Sequence, residues 1–235
     1  MPRLLELFCG TGSIGRAFRA RDWEVLSLDI DTKSDADIHA DILTWDYQAY
    51  PKGYFDFVWA SPLCLYYSIA RSTKKSTEEE LTYADSLVKK TLEIVEYFAP
   101  VHWAFENPQT GSLKTRPFML EPEFALPFKD TTYCKYDGGP RYKKRTRIWN
   151  SLGSHWQPPS ICCKAARCEH FQNGCHPATA QRGPCSKKGA KEPEGCHTQS
   201  QLYHIPAQLC TELARAVESA LRENADAHQE RTSME

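Results

Sequence analysis

The sequence has no apolar run that approaches the roughly 20 residues needed to span a bilayer. Its first residues, MPRLLELFCG, lack the long apolar core of a signal peptide and predict a short strand instead. We therefore expect an intracellular protein in a reducing compartment, either the cytoplasm or, in a eukaryotic host, the nucleus. In such a compartment the ten cysteines favour metal binding or catalysis over a disulfide framework.

The sequence also lacks a large net charge, since its formal net charge is −1. Basic residues nevertheless concentrate in two stretches, which are compatible with contacts to nucleic-acid phosphates. A solvated surface explains either stretch almost as well. The first stretch contains Lys129, Lys135, Arg141, Lys143, Lys144, Arg145 and Arg147, and the second contains Lys164, Arg167, Arg182, Lys187, Lys188 and Lys191.

Strands alternate with helical segments in the first 150 residues. Short apolar runs at residues 4–8, 25–29, 55–60 and 103–106 predict buried parallel strands. Between the last two, Ser76 or Thr77 followed by Glu79 or Glu80 predicts a capped helix, which Pro100 ends. This alternation predicts a doubly wound, mostly parallel α/β sheet of the Rossmann-like type.

The chain divides into four regions by composition. Residues 1–150 are expected to form the α/β core, and residues 151–200, which are rich in Pro, Gly, Cys, His and Lys, a small Cys/His-rich insert. Residues 201–224 carry a short segment and a helix that return to the core. Residues 225–235 are expected to be a disordered tail.

A glycine motif follows the first predicted strand. Gly10, Gly12 and Gly15 match G-x-G-x-x-G between a strand and a helix, and Asp29 ends the second strand about 20 residues further on. This arrangement predicts a cofactor that contains adenosine, with the carboxylate on the ribose hydroxyls. The motif alone leaves NAD, FAD and S-adenosylmethionine open.

Three polar features follow later strands. Cys64 lies in Ser61-Pro62-Leu63-Cys64, where a thiol of lowered pKa can attack an electrophilic carbon, although a lone cysteine is more often a small buried apolar residue. Glu106 and Asn107 follow the next strand toward the same crevice, and Asn-Pro is also a common turn opener. Lys143-Lys144-Arg145-Thr146-Arg147 leads into another strand, in which the two arginines alternate and so share one face.

In this order the motifs resemble the cytosine-C5 methyltransferase family. The matching segments are FCGTGSIG, Asp29, Asp41-Ile42, SPLC, Glu106-Asn107, Lys143 to Arg147, and Ile205-Pro206 with its helix. The resemblance covers residues 3–150 and 200–221 and is particularly close to compact phage and viral members. This chain departs from the family in having Leu63, Leu65 and Lys143 where proline, a polar residue and Gln are usual, and Glu-Asn-Pro in place of Glu-Asn-Val.

The resemblance implies a class I methyltransferase that uses S-adenosylmethionine and acts, as a monomer, on a cytosine flipped out of double-stranded DNA. It implies catalytic roles for Cys64, Glu106, Arg145 and Arg147, and substrate binding by Ser61, Asn107 and Lys143. The cofactor residues that it implies are Phe8, Gly10, Thr11, Gly12, Ser13, Ile14, Asp29, Ile30, Asp41, Ile42 and Pro62.

Three alternatives remain open from the sequence. The same thiol chemistry serves cytosine in tRNA, so RNA is a second substrate class. Leu63 and Leu65 are compatible with a catalytically silent module that binds cofactor and DNA. The glycine pattern also occurs in dehydrogenases, but no residue set for hydride transfer accompanies it in this sequence.

The insert concentrates six of the ten cysteines. In a reducing compartment that density favours one structural Zn²⁺, against a flexible loop in which thiols happen to cluster. The spacing selects Cys163, Cys168, Cys175 and His176 as ligands, with Cys162, His170 and Cys185 as alternates. The insert occupies the position of the family's target-recognition region.

Overall fold

The computed structural model describes residues 1–68, 75–122, 125–136, 142–171, 176, 178–179, 183–184 and 202–232. The strands are β1 (Arg3–Leu7), β2 (Glu24–Asp29), β3 (Ile38–His39), β4 (Phe57–Ala60), β5 (His102–Pro108), β6 (Phe128–Thr132), β7 (Tyr142–Lys143), β8 (Arg145–Asn150), β9 (Ala178–Thr179) and β10 (Gly183–Pro184). The helices are α1 (Ser13–Arg19), α2 (Glu78–Phe98), α3 (Pro117–Leu120) and α4 (Ala207–Thr232). Within these ranges no helix combines the length and apolar character that crossing a membrane requires.

Seven strands form one sheet in the order β3-β2-β1-β4-β5-β8-β6. Strands β1 to β5 are parallel, and β8 runs antiparallel between β5 and β6. Helices α1 and α4 pack on one face, and α2 packs on the other. The predicted doubly wound, mostly parallel sheet is confirmed. Strand order reverses between β1 and β4, so a ligand crevice is expected at their carboxyl ends.

Helix α2 begins and ends close to where the sequence predicts. Thr77 caps it, because its hydroxyl accepts the N–H of Glu80 while the Glu80 carboxylate accepts the N–H of Thr77. This reciprocal pair satisfies two backbone donors of the first turn. The helix ends at Phe98, and its C-cap is Ala99, a non-glycine residue with φ 44° that directly precedes Pro100.

Helix α4 extends further than the sequence predicts. It continues to Thr232, beyond the expected end near residue 224. The last residues of the helix include Ala, Glu, Gln and Arg, which are good helix formers, and no Gly or Pro interrupts them.

The insert is joined to the core rather than separate from it. Leu152 and Trp156, at its start, are buried in the same apolar cluster as α1 and α4. Further on, β7, β9 and β10 form a small second sheet that pairs Tyr142–Lys143 with insert residues. The boundary expected at residue 150 therefore falls inside a continuous apolar core.

A buried carboxyl group supports the start of α1. Glu6 on β1 is 2% exposed, and its Oε2 accepts the backbone N–H of Gly15 at 3.0 Å. Burial raises the pKa of Glu6 from its ordinary 4.5 to about 7. A side chain at position 15 would collide with this carboxyl group, so Gly15 is required for the close approach.

The raised pKa of Glu6 predicts a pH-dependent stability. The folded protein keeps the Glu6 proton above pH 4.5 while the unfolded chain loses it, so the free energy of unfolding falls as pH rises from 4.5 to about 7. One pKa unit corresponds to about 1.4 kcal/mol. Over this pH range we therefore expect the wild type to lose up to about 3 kcal/mol more of its free energy of unfolding than Glu6→Gln loses. Urea unfolding of wild type and variant at pH 5 and pH 7.5 measures this change in the free energy of unfolding. Glu24→Gln, which changes an exposed glutamate on β2, should keep the wild-type pH dependence. If the free energy of unfolding of Glu6→Gln falls with pH as steeply as that of the wild type, Glu6 is not the group responsible.

Candidate active site

The loop after β1 has an unusual backbone. Phe8, Gly10 and Gly12 have φ values of 56°, 50° and 63°. Glycine adopts such angles without strain, whereas Phe8 does so at a cost. The Asp29 carboxylate holds this loop, because its Oδ2 accepts the N–H of Gly10 at 2.7 Å. Its Oδ1 accepts the N–H of Asp31, in the turn after β2, at 2.8 Å. The predicted glycine motif and acid thus lie side by side at the ends of β1 and β2.

The other predicted cofactor residues fall into two groups. Ile30 is 62% exposed beside Asp29 and offers an apolar surface next to the carboxylate. Asp41 is half-buried, and its Oδ1 accepts the N–H of Leu43. Ile14 and Ile42 are buried in the two apolar clusters.

The segment before α4 returns to the loop after β1. The Ser13 hydroxyl accepts the N–H of Ile205 at 3.3 Å and pairs with Nδ1 of His204 at 3.3 Å. Thr11 Oγ1 lies 2.9 Å from Ser13 Oγ. The residues around Ile205-Pro206 therefore close one side of the candidate cofactor site.

Cys64 lies in the loop after β4, held from two sides. Asn107, at the end of β5, donates its Nδ2–H to the carbonyl of Pro62 at 3.1 Å. After Cys64 comes a short 3-10 turn whose Tyr67 is buried and donates its hydroxyl to Asp85 of α2. Ser61 Oγ accepts the indole N–H of Trp59. These contacts fix the loop although Leu63 replaces the more rigid proline.

The charges around Cys64 act in opposite directions. Burial raises the pKa of the Cys64 thiol, nearby Lys144 lowers it and Glu106 raises it. Cys9, in the loop after β1, is buried, and burial raises its pKa to about 12. The half-buried Cys64 beside an ammonium group is therefore the better nucleophile of the two.

Glu106 is buried at the end of β5, and its described contacts all involve Oε1. That oxygen accepts the hydroxyl of Thr146 in a short hydrogen bond and the hydroxyl of Tyr133 at 3.4 Å, and it lies 3.9 Å from Lys144 Nζ. Burial raises the pKa of Tyr133 well above its ordinary value, so this hydroxyl stays protonated and donates. None of these contacts involves the second oxygen, Oε2.

The two faces of β8 carry different side chains. Thr146 and Ile148 face Glu106 and α4, whereas Arg147 and Trp149 lie on the opposite face. Arg147 forms an ion pair with Asp130 at 2.7 Å and lies 3.5 Å above the ring of Phe128. The structure thus brings Lys144, and neither arginine, to Glu106.

The remaining residues of this basic stretch have separate positions. The half-buried Arg145 shares the strand face of Arg147, and its Nε has no hydrogen-bond partner among the described residues. Lys143 lies in β7 near His176. Lys129 and Lys135 donate to the carbonyls of Trp156 and Arg167. Lys129 and Lys135 therefore join the insert to β6 and the turn that follows it. In the second basic stretch, the residues outside the described part of the chain are Arg182, Lys187, Lys188 and Lys191.

Sulfur and imidazole ligands meet at the edge of the sheet. The ligand atoms of Cys134, Cys162, Cys168 and His176 all lie within 4.8 Å of one another. Cys163 and His170 are described but do not belong to this group, while Cys175 and Cys185 lie outside the described residues. The structure therefore brings two of the four ligands selected by spacing, Cys168 and His176, together with the alternate Cys162.

The sequence did not single out four residues that the structure places at these two sites: Cys134, Tyr133, Lys144 and Thr146. Cys134 lies far along the chain from the insert, and only the fold brings it there. Lys144 and Thr146 are alternate residues in the basic motif, so they share one face just as the arginines share the other. Choosing between the two faces requires the pairing of β8 with β5.

Comparison with known proteins supports one family. No family model matches the sequence. The frog virus 3 protein named Probable DNA (cytosine-5)-methyltransferase is 32% identical over 224 residues, which cover 90% of this chain and 98% of that protein.

Similar solved structures have low sequence identity. A DNA modification methyltransferase from an E. coli prophage is 11% identical with TM-score 0.46 over 64% of this chain and 46% of its own. Dnmt2 from Spodoptera frugiperda is 15% identical with TM-score 0.42 over 68% and 54%, and Dnmt2 from S. pombe is 15% identical with TM-score 0.40 over 64% and 48%. The chain spans about half the length of these three structures. The extensive match to the viral protein shows that this chain belongs to the DNA (cytosine-5)-methyltransferase family.

Proposed function

We propose that this chain transfers a methyl group from S-adenosylmethionine to carbon 5 of cytosine in DNA, with Cys64 as the nucleophile. The observation that carries the proposal is the meeting of Cys64, Glu106 and Lys144 at the carboxyl ends of β4 and β5, next to the glycine loop after β1. This is the place where an open α/β sheet binds ligands.

The residues at the ends of β1 and β2 fit the cofactor. Asp29 offers a carboxylate for ribose hydroxyls, and the exposed Ile30 offers an apolar surface for the adenine ring. The loop of Phe8, Gly10 and Gly12 leaves its backbone open to the methionine part. When bound, S-adenosylmethionine supplies a methyl group on a positively charged sulfur.

The residues of the chain activate the cytosine. The Cys64 thiolate adds to carbon 6, which makes carbon 5 electron-rich enough to form the new bond to methyl. Glu106, as a carboxylic acid, donates its Oε2 proton to ring N3 and so neutralises the negative charge that builds up there when the thiolate adds. Loss of the carbon-5 proton to a base and departure of Cys64 then restore the aromatic ring and the free enzyme. Arg145, whose buried Nε has no hydrogen-bond partner among the described residues, keeps the proposed role of binding the base carbonyl or a phosphate only if it turns toward the base, and Arg147 supports β6 through Asp130.

The proposal includes the form of the substrate. Cys64 lies in a loop recessed beside the sheet, so a cytosine must leave the DNA stack to reach it, at a cost of a few kcal/mol. All of these residues belong to one chain, so a monomer is sufficient. DNA as substrate agrees with the intracellular compartment that the sequence predicts.

Mass spectrometry of nucleosides tests the activity. The full chain is incubated with S-adenosylmethionine and either double-stranded DNA or tRNA, and the products are digested to nucleosides. We expect 5-methylcytosine from DNA. If tRNA is modified and DNA is not, the substrate is RNA and not DNA. If neither substrate gives a product although the cofactor binds, the chain is better explained as a catalytically silent binding module.

Lys144 is predicted to set the pH dependence of the reaction. Because Lys144 lowers the pKa of Cys64, Lys144→Met should raise that pKa, leave less thiolate at neutral pH and slow turnover there. The pH–rate profile of methyl transfer should move to higher pH, with partial recovery of rate there.

A matched change separates this effect from a general loss of charge. Lys52→Met removes an exposed lysine just before β4, at the opposite end of the sheet, and should keep the wild-type profile. If Lys144→Met lowers the rate equally at every pH, Lys144 does not act through the thiol.

A further inference from the structure

Four ligand atoms converge where the insert meets the edge strand β6. Cys134 lies in the 3-10 turn directly after β6, Cys162 and Cys168 lie in the insert, and His176 follows eight residues later. His176 Nε2 is 3.5 Å from Cys162 Sγ and 3.2 Å from Cys168 Sγ. All four atoms lie within 4.8 Å of one another. Three separate parts of the chain therefore supply one compact donor set.

The geometry and chemistry of this donor set suit Zn²⁺. Zinc in structural sites prefers four tetrahedral ligands, and Zn–S bonds of about 2.3 Å place neighbouring sulfurs about 3.8 Å apart. Cys134, Cys162 and His176 are buried, as ligands of a closed structural site are. A disulfide between any two of the cysteines would leave the third thiol and the imidazole side by side.

A backbone contact within the cluster involves one of its sulfur atoms. The N–H of Cys168 donates to Cys162 Sγ at 3.3 Å. Hydrogen bonds of this kind favour a negatively charged sulfur, which is the form that binds a metal. The ring of Phe171 contacts the His176 imidazole edge-on at 5.4 Å and helps to orient it.

The position of the cluster indicates what a metal would do. Tyr133, next to Cys134, donates its hydroxyl to Glu106, and its N–H donates to the carbonyl of Lys144 at 3.0 Å. The cluster is therefore one residue away from a contact of the catalytic carboxylate. Only a few hydrogen bonds otherwise join the described insert to β6 and the following turn, among them Cys162 N–H to the Thr132 hydroxyl.

We propose that one Zn²⁺ bound by Cys134, Cys162, Cys168 and His176 fastens the insert to the catalytic sheet. The site differs from the set that sequence spacing selects, because it includes a core cysteine and excludes Cys163. It does not depend on methyl transfer, since its test measures metal rather than activity.

Metal content of the untagged, full-length protein provides the test. Elemental mass spectrometry should find about one zinc per chain in the wild type. Cys134→Ser and Cys168→Ser should lose most of it. Cys163→Ser should keep it, because Cys163 neighbours a ligand in sequence but lies outside the cluster. A wild type that holds no zinc, or a different metal, overturns the proposal, as does equal loss from Cys163→Ser and Cys134→Ser.

Cobalt spectroscopy covers the case in which a variant fails to fold. Wild-type protein in which Co²⁺ replaces zinc should show the intense visible absorption of a tetrahedral site and thiolate-to-cobalt charge transfer. The weak spectrum of octahedral cobalt would overturn the proposal. Chelation should also speed proteolytic cleavage within residues 157–171 by about tenfold or more, because removing the metal releases the insert. An unchanged cleavage rate in metal-free protein would refute the fastening role.

Discussion

Cys64→Ala is expected to slow methyl transfer by at least about 10⁴-fold, since removing a catalytic nucleophile leaves only binding and electrostatic contributions. Affinity for S-adenosylmethionine should stay close to that of the wild type. Most of the proposed cofactor residues lie at the ends of β1 and β2, and only Pro62 shares the loop of Cys64 after β4. Transfer of radiolabelled methyl to DNA measures the first quantity, and calorimetric titration with the cofactor measures the second.

A matched variant shows whether the effect belongs to this thiol. Cys163→Ala removes another half-buried cysteine, one outside the active site, and should transfer methyl at the wild-type rate. Retained turnover in Cys64→Ala would remove Cys64 from the mechanism. Loss of cofactor affinity together with turnover would instead indicate that the loop after β4 helps to form the cofactor site.

The covalent step has a separate signature. In DNA containing 5-fluorocytosine, carbon 5 carries fluorine in place of the proton that must leave. The Cys64 adduct should therefore persist after methyl transfer, and a complex of protein and DNA should survive denaturing electrophoresis. The same DNA should give no such complex with Cys64→Ala. If no stable complex forms with active wild-type protein, the covalent step is wrong.

The fold was predictable from the sequence because its signals are local. Apolar runs of strand length, the capping pair of Thr77 and Glu80, and Pro100 after α2 each depend on neighbours in sequence. These signals predicted the doubly wound sheet and the limits of its longest early helix. The extent of α4 and the burial of Trp156 were not predicted, because both depend on what the chain packs against.

The candidate site was predictable only in part, since strand pairing determines which side chains meet. Cys64 and Glu106 follow consecutive parallel strands, so their meeting at one edge could be inferred. The basic motif contains two sets of alternate residues, Lys144 with Thr146 and Arg145 with Arg147. The sequence pattern favours the two arginines as site residues. The pairing of β8 with β5 turns Thr146 toward Glu106 and Arg147 toward Asp130. Cys134 joins the candidate zinc ligands through the tertiary structure alone.

Glu106→Gln is expected to lower the rate of methyl transfer by about 10²-fold or more, within the range for a group that moves a proton in the transition state. The amide oxygen of Gln can still accept the hydroxyls of Thr146 and Tyr133, which hold Glu106 Oε1. The amide nitrogen can donate to cytosine N3 but cannot transfer a proton to it. Binding of the flipped base should therefore survive while the chemical step slows, so single-turnover rates should fall with little change in DNA affinity. Thr131→Ser, a conservative change in β6, two strands away from Glu106, keeps the hydroxyl bonded to Pro159 and should leave both quantities near wild type. Equal losses of rate and affinity in Glu106→Gln would mean that Glu106 holds the base without serving as its acid.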